Sequence, residues 1–178
     1  MSVIVAAILI AAVAGFAAYR LTLRRVPQII MRRAMATLGK AAGGSNRLFH
    51  GKRPTAAARQ VVMPAPDLIY SSCVYDLSWG PIRFSGPVAN GYWSLSAYAE
   101  NTDNFYVAND REQSDGRFDM VLTRKGDTLP AQLQSATTIV APSDRGIVLI
   151  RMFMGDGSAV DHIREIQQSM ACEVLPRT

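Results

Sequence analysis

The sequence predicts a mainly β protein. The expected architecture is an antiparallel β-sandwich-like domain with a C-terminal helix, preceded by an N-terminal transmembrane helix and a basic amphipathic helix (α+β by count). Three observations carry this. Residues 3–19 contain no charged or strongly polar side chain. Residues 1–66 hold ten Lys/Arg and no Asp/Glu, whereas residues 67–178 hold nine and fourteen, so a +10 segment precedes a −5 domain. From Leu68 onward, short β-branched or aromatic runs alternate with Gly, Pro, Asn and Asp, the texture of strands and turns. The 178 residues suffice for one domain with a core and an appendage. They divide into an anchor (1–20), a basic helix with its tether (21–63) and a globular part (64–178).

The run VIVAAILIAAVAGFAAY would reach about 26 Å as a helix, the short end for a bilayer core. Only a helix satisfies the backbone of an isolated segment there. Ala12, Ala14, Gly15 and Ala17 would suit a signal peptidase. Against cleavage, no cation precedes the run and Arg20, Arg24 and Arg25 follow it at once, which favours a single-pass anchor. Pro27 predicts a new helix start, after which Ile30, Met31, Ala34, Met35 and Leu38 share one face. Such a helix fits a membrane interface, with Arg20, Arg24, Arg25, Arg32 and Arg33 toward anionic lipid at about 1 kcal/mol per cation. It fits packing on the domain or on a partner equally well. Gly39 and then Gly43-Gly44-Ser45-Asn46 end it, and residues 47–63, including His50, read as an irregular basic tether.

LIYSSCV, IRFS, YWSLSAYA, FDMVLT, TTIVA and GIVLIRMF read as strands. In YWSLSAYA, Trp93, Leu95, Ala97 and Ala99 alternate with Tyr92, Ser94, Ser96 and Tyr98, so its two faces differ. GIVLIRMF is apolar enough for a central strand buried on both faces, and its Arg151 is expected to reach an acidic partner or the sheet edge. Ser158 with Asp161 resembles a capping box. Ala159, Ile163, Ile166 and Met170 then share a helical face, and a last short strand follows from Cys172.

The chemistry-bearing residues concentrate in Pro64–Pro81. Asp67, Asp76 and Asp103 would bind a cation or tune one another if they converged, and close turns if they did not. Tyr70, Tyr75, Tyr92, Trp93 and Tyr98 suit either a pocket lining or cross-strand pairs. Arg111 and Arg151 suit a carboxylate or phosphate clamp, or a salt bridge. Cys73 and Cys172 read as two buried thiols or as one disulfide, the latter requiring an oxidising compartment. Other classes fall away. The acidic domain lacks a basic, aromatic groove for nucleic acid. No nucleophile elbow, phosphate loop or dinucleotide fingerprint occurs. Two distant histidines and no clustered cysteines leave no metal site, and no cofactor is indicated.

Taken together, Pro64, Asp67, Tyr70 and Ser71, then Asp76, Leu77, Ser78, Gly80 and Pro81, then Tyr92, Trp93 and Ser94, then Thr102, Asp103, Asn104 and Phe105 resemble the bacterial family called domain of unknown function 1254. Arg151, Asp161 and Gln167 sit like that family's last strand and helix. The likeness spans about residues 60–172; its Asp103 and Asn104, with the neighbouring Asn101, complete the candidate list. Ala65 departs from an Asn common in the family. Many members continue into a second, 1214-type domain, so the resemblance implies a separately encoded 1214-type protein as partner. The apolar anchor, with the bacterial family likeness, sets the expectation of a single pass through the bacterial inner membrane. The arginines after the apolar run place the domain in the cytoplasm by the positive-inside tendency, whereas a disulfide would place it outside, so the side stays open. The leading expectation is a non-catalytic protein-binding module. The alternatives are a hydrolase or small-ligand enzyme with a carboxylate/arginine site in an aromatic pocket, and an interfacial lipid-binding protein.

Overall fold

One helix, α1 (Val3–Ala42), runs through both N-terminal segments of the computed structural model, which describes residues 2–55, 64–112, 116–129, 133, 136–155 and 160–177. The helix start expected at Pro27 is therefore corrected, since Pro27 lies inside α1. Proline denies the Leu23 carbonyl its N–H and crowds that turn, but helical turns continue on both sides. The later turns are held by packing: Met31 and Met35 are buried with Ala34 and Leu38 against Val74, Ile147 and Tyr98. Each methionine contributes about 1.5–3 kcal/mol by leaving water. Of the two expectations for this amphipathic face, packing on the domain is the one realised, with Ile30 left 58% exposed. Gly39 does not end the helix; Gly43 does, in the left-handed region at φ 76°. The Gly44 N–H donates to the Gly39 carbonyl at 2.8 Å and the Gly43 N–H to Lys40 at 3.3 Å, so the last turn's carbonyls are satisfied. Before Met31, α1 carries no buried side chain, and it is long and apolar enough to cross a membrane.

The chain then forms β1 (Leu48–His50), β2 (Leu68–Asp76), β3 (Ile82–Pro87), β4 (Trp93–Ala99), β5 (Asn104–Asn109), β6 (Arg117–Thr123), β7 (Thr137–Val140), β8 (Arg145–Phe153), α2 (Val160–Gln168) and β9 (Ala171–Val174). Two sheets result, in the orders β1-β2-β8-β4-β5 and β7-β6-β3-β9. The ladders are antiparallel except β6–β7, which is parallel. The tether reading is corrected at β1, where Leu48 pairs Cys73 and His50 pairs Ser71. Asn46 begins that strand by bridging: its side chain accepts from the Asp76 N–H at 2.7 Å and donates to the Asp76 carbonyl at 3.0 Å. Ser158 and Ala159, expected to open α2, lie outside the described residues.

Tyr75, Trp93, Leu95 and Ile150 of the five-stranded sheet meet Phe84, Phe118 and Leu122 of the other, and Ile163 of α2 joins the same core. β8 lies in the middle of its sheet, as its apolar run predicts, with Val148 and Ile150 fully buried.

On the outer face of the four-stranded sheet, Arg83 donates to both oxygens of Asp119, Nε to Oδ1 at 2.8 Å and Nη2 to Oδ2 at 2.7 Å. This bidentate bond holds the Asp119 carboxyl below its ordinary pKa of 3.8. A depressed carboxylate adds stability that is complete above the unfolded-state value and disappears as pH falls through the folded-state value. Asp119→Asn should therefore lower stability at neutral pH and flatten its decline below about pH 4. Chemical denaturation over that acid range measures both effects.

Candidate functional site

Antiparallel register places rows of side chains across the outer face of the five-stranded sheet. Val74, Ile147 and Tyr98 form one row, under α1. Ser72, Leu149, Ser96 and Val107 form the next, and Tyr70, Arg151 and Ser94 the one after. Arg151 is thus at the centre of the sheet, four residues along β8 from Ile147 and about 13 Å from the helix-covered row. Its Nη2 donates to Ser96 Oγ and to Tyr98 OH, each at 3.2 Å. Its Nε is buried without a hydrogen-bond partner. Among the described residues no carboxylate lies within ion-pair distance of it. The expectation of an acidic partner or the sheet edge finds neither among the described residues: β8 is central, flanked by hydroxyl-bearing positions, and the guanidinium reaches two of these hydroxyls. Arg124 differs, because its Nε, also lacking a hydrogen bond, sits 2.7 Å from Asp144 Oδ1 and is charge-compensated.

Around Arg151 the surface is aromatic and apolar, with Tyr92, Val107 and Phe153 each more than 40% exposed. The Tyr92 hydroxyl donates to Ser94 Oγ at 3.1 Å, and the Tyr70 hydroxyl accepts from the Ala65 N–H at 2.9 Å. Tyr70, Tyr92 and Arg151, singled out by sequence, therefore share one face. Ser94, Ser96 and Tyr98 complete it; their signal was the alternation in YWSLSAYA, which marks them as the face opposite Trp93.

The other candidates stand elsewhere. Trp93 points into the core, 2% exposed, with its ring centroid 6.3 Å from that of Phe118. Tyr75 is also a core residue, and burial raises its pKa to about 12. Asp67 and Asp76 stand near opposite ends of β2, about 30 Å apart along the strand. Asp67 is exposed on the turn before β2, where its carbonyl accepts from the Met154 N–H. The Asp76 carboxylate accepts from the Ser78 hydroxyl at 2.6 Å and the Ser78 N–H at 3.0 Å, with Arg145 3.4 Å away. Burial pushes its pKa up, but the Ser78 bonds with Arg145 and Arg124 outweigh that and leave it lowered. Asp103 accepts from Asn101 Nδ2 at 2.6 Å in the turn around Thr102, and Asn104 opens β5. Arg111 is exposed, its N–H bonded to Asn109 Oδ1. Each aspartate thus serves its own turn. Among the described residues no group of three His, Cys, Asp or Glu is placed to hold a metal ion.

On α1, Arg20, Arg24, Arg25 and Arg33 are exposed, Arg20 lies over the Phe16 ring at 5.9 Å, and Arg32 reaches Glu100 at 3.5 Å. Cys73 of β2 and Cys172 of β9 belong to different sheets and are unbonded, with their sulfurs 3.0 Å apart.

The fold has solved counterparts. A crystal structure of the VPA0106 protein from Vibrio parahaemolyticus aligns with a TM-score of 0.58 at 12% identity, over 84% of this chain and 37% of that one. This chain therefore spans little more than a third of the Vibrio protein. An uncharacterised protein from Burkholderia cenocepacia aligns at a TM-score of 0.43 and 15% identity, over 80% of this chain and 46% of that one. No functionally curated protein matches the chain. The family profile described as Protein of unknown function (DUF1254) matches residues 45–174, most of the chain and nearly the whole sandwich, and on that match the chain belongs to the DUF1254 family.

Proposed function

We propose that the protein is a membrane-anchored docking module that binds another protein, a separately encoded 1214-type domain chain, on the outer face of its five-stranded sheet. The observation that carries this is Arg151. A guanidinium held by two neutral hydroxyls, with one nitrogen buried and without a hydrogen bond, has no counter-charge among the described residues. Exposed Tyr92, Phe153 and Val107 surround it, the aromatic and arginine composition of an interface centre. The complementary group is a carboxylate presented by the partner. Support for anchoring comes from the apolar, uncovered stretch of α1, which would hold the sandwich near the bilayer without a flexible linker. Met31 follows Arg20 by eleven residues, about 16 Å of helix. Support for a protein partner comes from the Vibrio protein, whose chain continues well beyond the shared fold.

The test is co-purification of the full chain with the candidate 1214-type protein in an uncharged detergent. Arg151→Ala is expected to weaken the complex about tenfold or more, while Arg83→Ala, on the other sheet, leaves it unchanged. Equal binding by the two variants, with both folded, would sink the assignment of this face.

A further inference from the structure

A second polar site lies between the end of β1 and α2. An open cleft of about 450 Å³ is lined by His50, Gly51, Lys52, Arg164, Gln167 and Gln168. This volume is within the range of small-molecule sites. Two cations line the cleft and, among the described residues, no carboxylate does. On α2, Asp161 is 3.7 Å from Arg164, and the two side chains are 96% and 49% exposed. So exposed a pair is well screened and leaves the guanidinium free to turn.

The floor of the cleft is a fixed hydrogen-bonded chain. Gln167 is only 2% exposed, and its Nε2 donates to the Tyr70 carbonyl at 3.1 Å and to Ser71 Oγ at 2.8 Å. Ser71, 1% exposed, faces His50 Nδ1 at 3.0 Å. Its oxygen already accepts from Gln167, and among the described residues the buried hydroxyl proton has one acceptor, Nδ1. The neutral His50 ring therefore carries its own proton on Nε2, the nitrogen on the far edge from Ser71. Burial pushes the His50 pKa down, which favours the neutral ring. A polar contact spanning β1, β2 and α2 thus ends in an N–H donor beside two exposed cations.

We propose that this cleft binds a small mobile oxyanion, a phosphate or carboxylate group, held by Lys52 and Arg164 and oriented by the Nε2–H of His50. Donors of fixed direction combined with cations on flexible stems suit an anion that enters from solvent, and a guanidinium takes either group through paired N–H bonds. The site is separate from the Arg151 face and does not depend on the docking reading.

Calorimetric titration of the full chain in an uncharged detergent, with inorganic phosphate in one arm and succinate in the other, tests this. Saturable 1:1 binding of either probe is expected, the tighter arm naming the group that the cleft prefers. The Lys52→Gln, Arg164→Gln double variant should weaken it about tenfold or more without changing thermal unfolding, because both side chains are exposed. In the wild-type chain the bound probe should also shift the ¹⁵N resonance of His50 Nε2. No saturable binding of either probe up to about 10 mM, or binding that survives in the double variant, overturns the site. Binding that leaves the His50 resonance in place overturns the orienting role.

Discussion

Exposure of the purified protein to glutathione disulfide is expected to join Cys73 to Cys172 and to raise its unfolding temperature by roughly 15 °C. The sulfurs are already 3.0 Å apart and need to close to about 2.05 Å. Cys73 is fully buried, and the Cys172 thiol beside it, together with burial, pushes its pKa up, so it stays a thiol at neutral pH. Half-buried Cys172 is the sulfur that an oxidant reaches first. The two protein thiols give two electrons and two protons to glutathione disulfide, which leaves as two glutathione thiols. The cysteines are 99 positions apart, and in the chain-entropy account a closed loop of that size stabilises by about 4.7 kcal/mol. The bond would staple the two sheets through β9, which stands at the edge of its sheet beside β3. Mass spectrometry with and without thiol alkylation counts the thiols, and a thermal melt reads the shift. Two free thiols after oxidation, or an equal shift in Cys172→Ser, would refute it. The same alkylation in intact cells reports the compartment, because this bond persists only where the surroundings are oxidising.

Gly146→Ala is expected to destabilise the protein by about 3 kcal/mol, or roughly 10 °C. Gly146 begins the buried part of β8 opposite Ala99, and an added methyl would run into the Tyr98 carbonyl and the Tyr75 ring. One obstacle is backbone within the ladder. The other is a core tyrosine whose hydroxyl faces Ser143 Oγ at 3.4 Å and whose ring packs edge-on against Phe105. Neither can swing aside as an exposed side chain would. Gly15→Ala is the control, since a methyl there meets nothing within 4 Å and alanine is the better helix former. Comparable melting temperatures for Gly146→Ala and the wild type would show that this packing is looser than described.

Legibility followed the range of the forces involved. The strand at Trp93–Ala99 was readable because its two faces differ at every step, and β8 because an apolar run in a central strand has a sheet neighbour on either side. β1 was not readable: three residues carry no period, and their pairing with Ser71–Cys73 is a contact across more than twenty positions. Pro27 gave a locally sound signal with the wrong outcome. A proline suits a first helical turn, yet inside a helix it removes only one hydrogen bond, and the long apolar run before it stays helical here.

The candidate sites divide in the same way. Tyr70, Tyr92 and Arg151 were visible as residue types, but that they share one face follows from β2, β4 and β8 lying in register. Asp67, Asp76 and Asp103 formed a plausible constellation on paper, and turn chemistry separates them. The chain formed by His50, Ser71 and Gln167 had no local signature, because its members are 21 and 96 positions apart.

By itself, then, the sequence determined the apolar N-terminal helix, the passage from a basic segment to an acidic β domain, the family, and most strands. These depend on composition and on periods of two or 3.6 residues, which are properties of neighbours in the chain. Only the tertiary structure decided that α1 is continuous and docked, that Arg151 has no counter-charge among the described residues, that the two thiols meet, and that His50 faces a cationic cleft. Each of those depends on which distant strands pair and in what register, and a shift of one residue would turn every side chain of a strand to the opposite face.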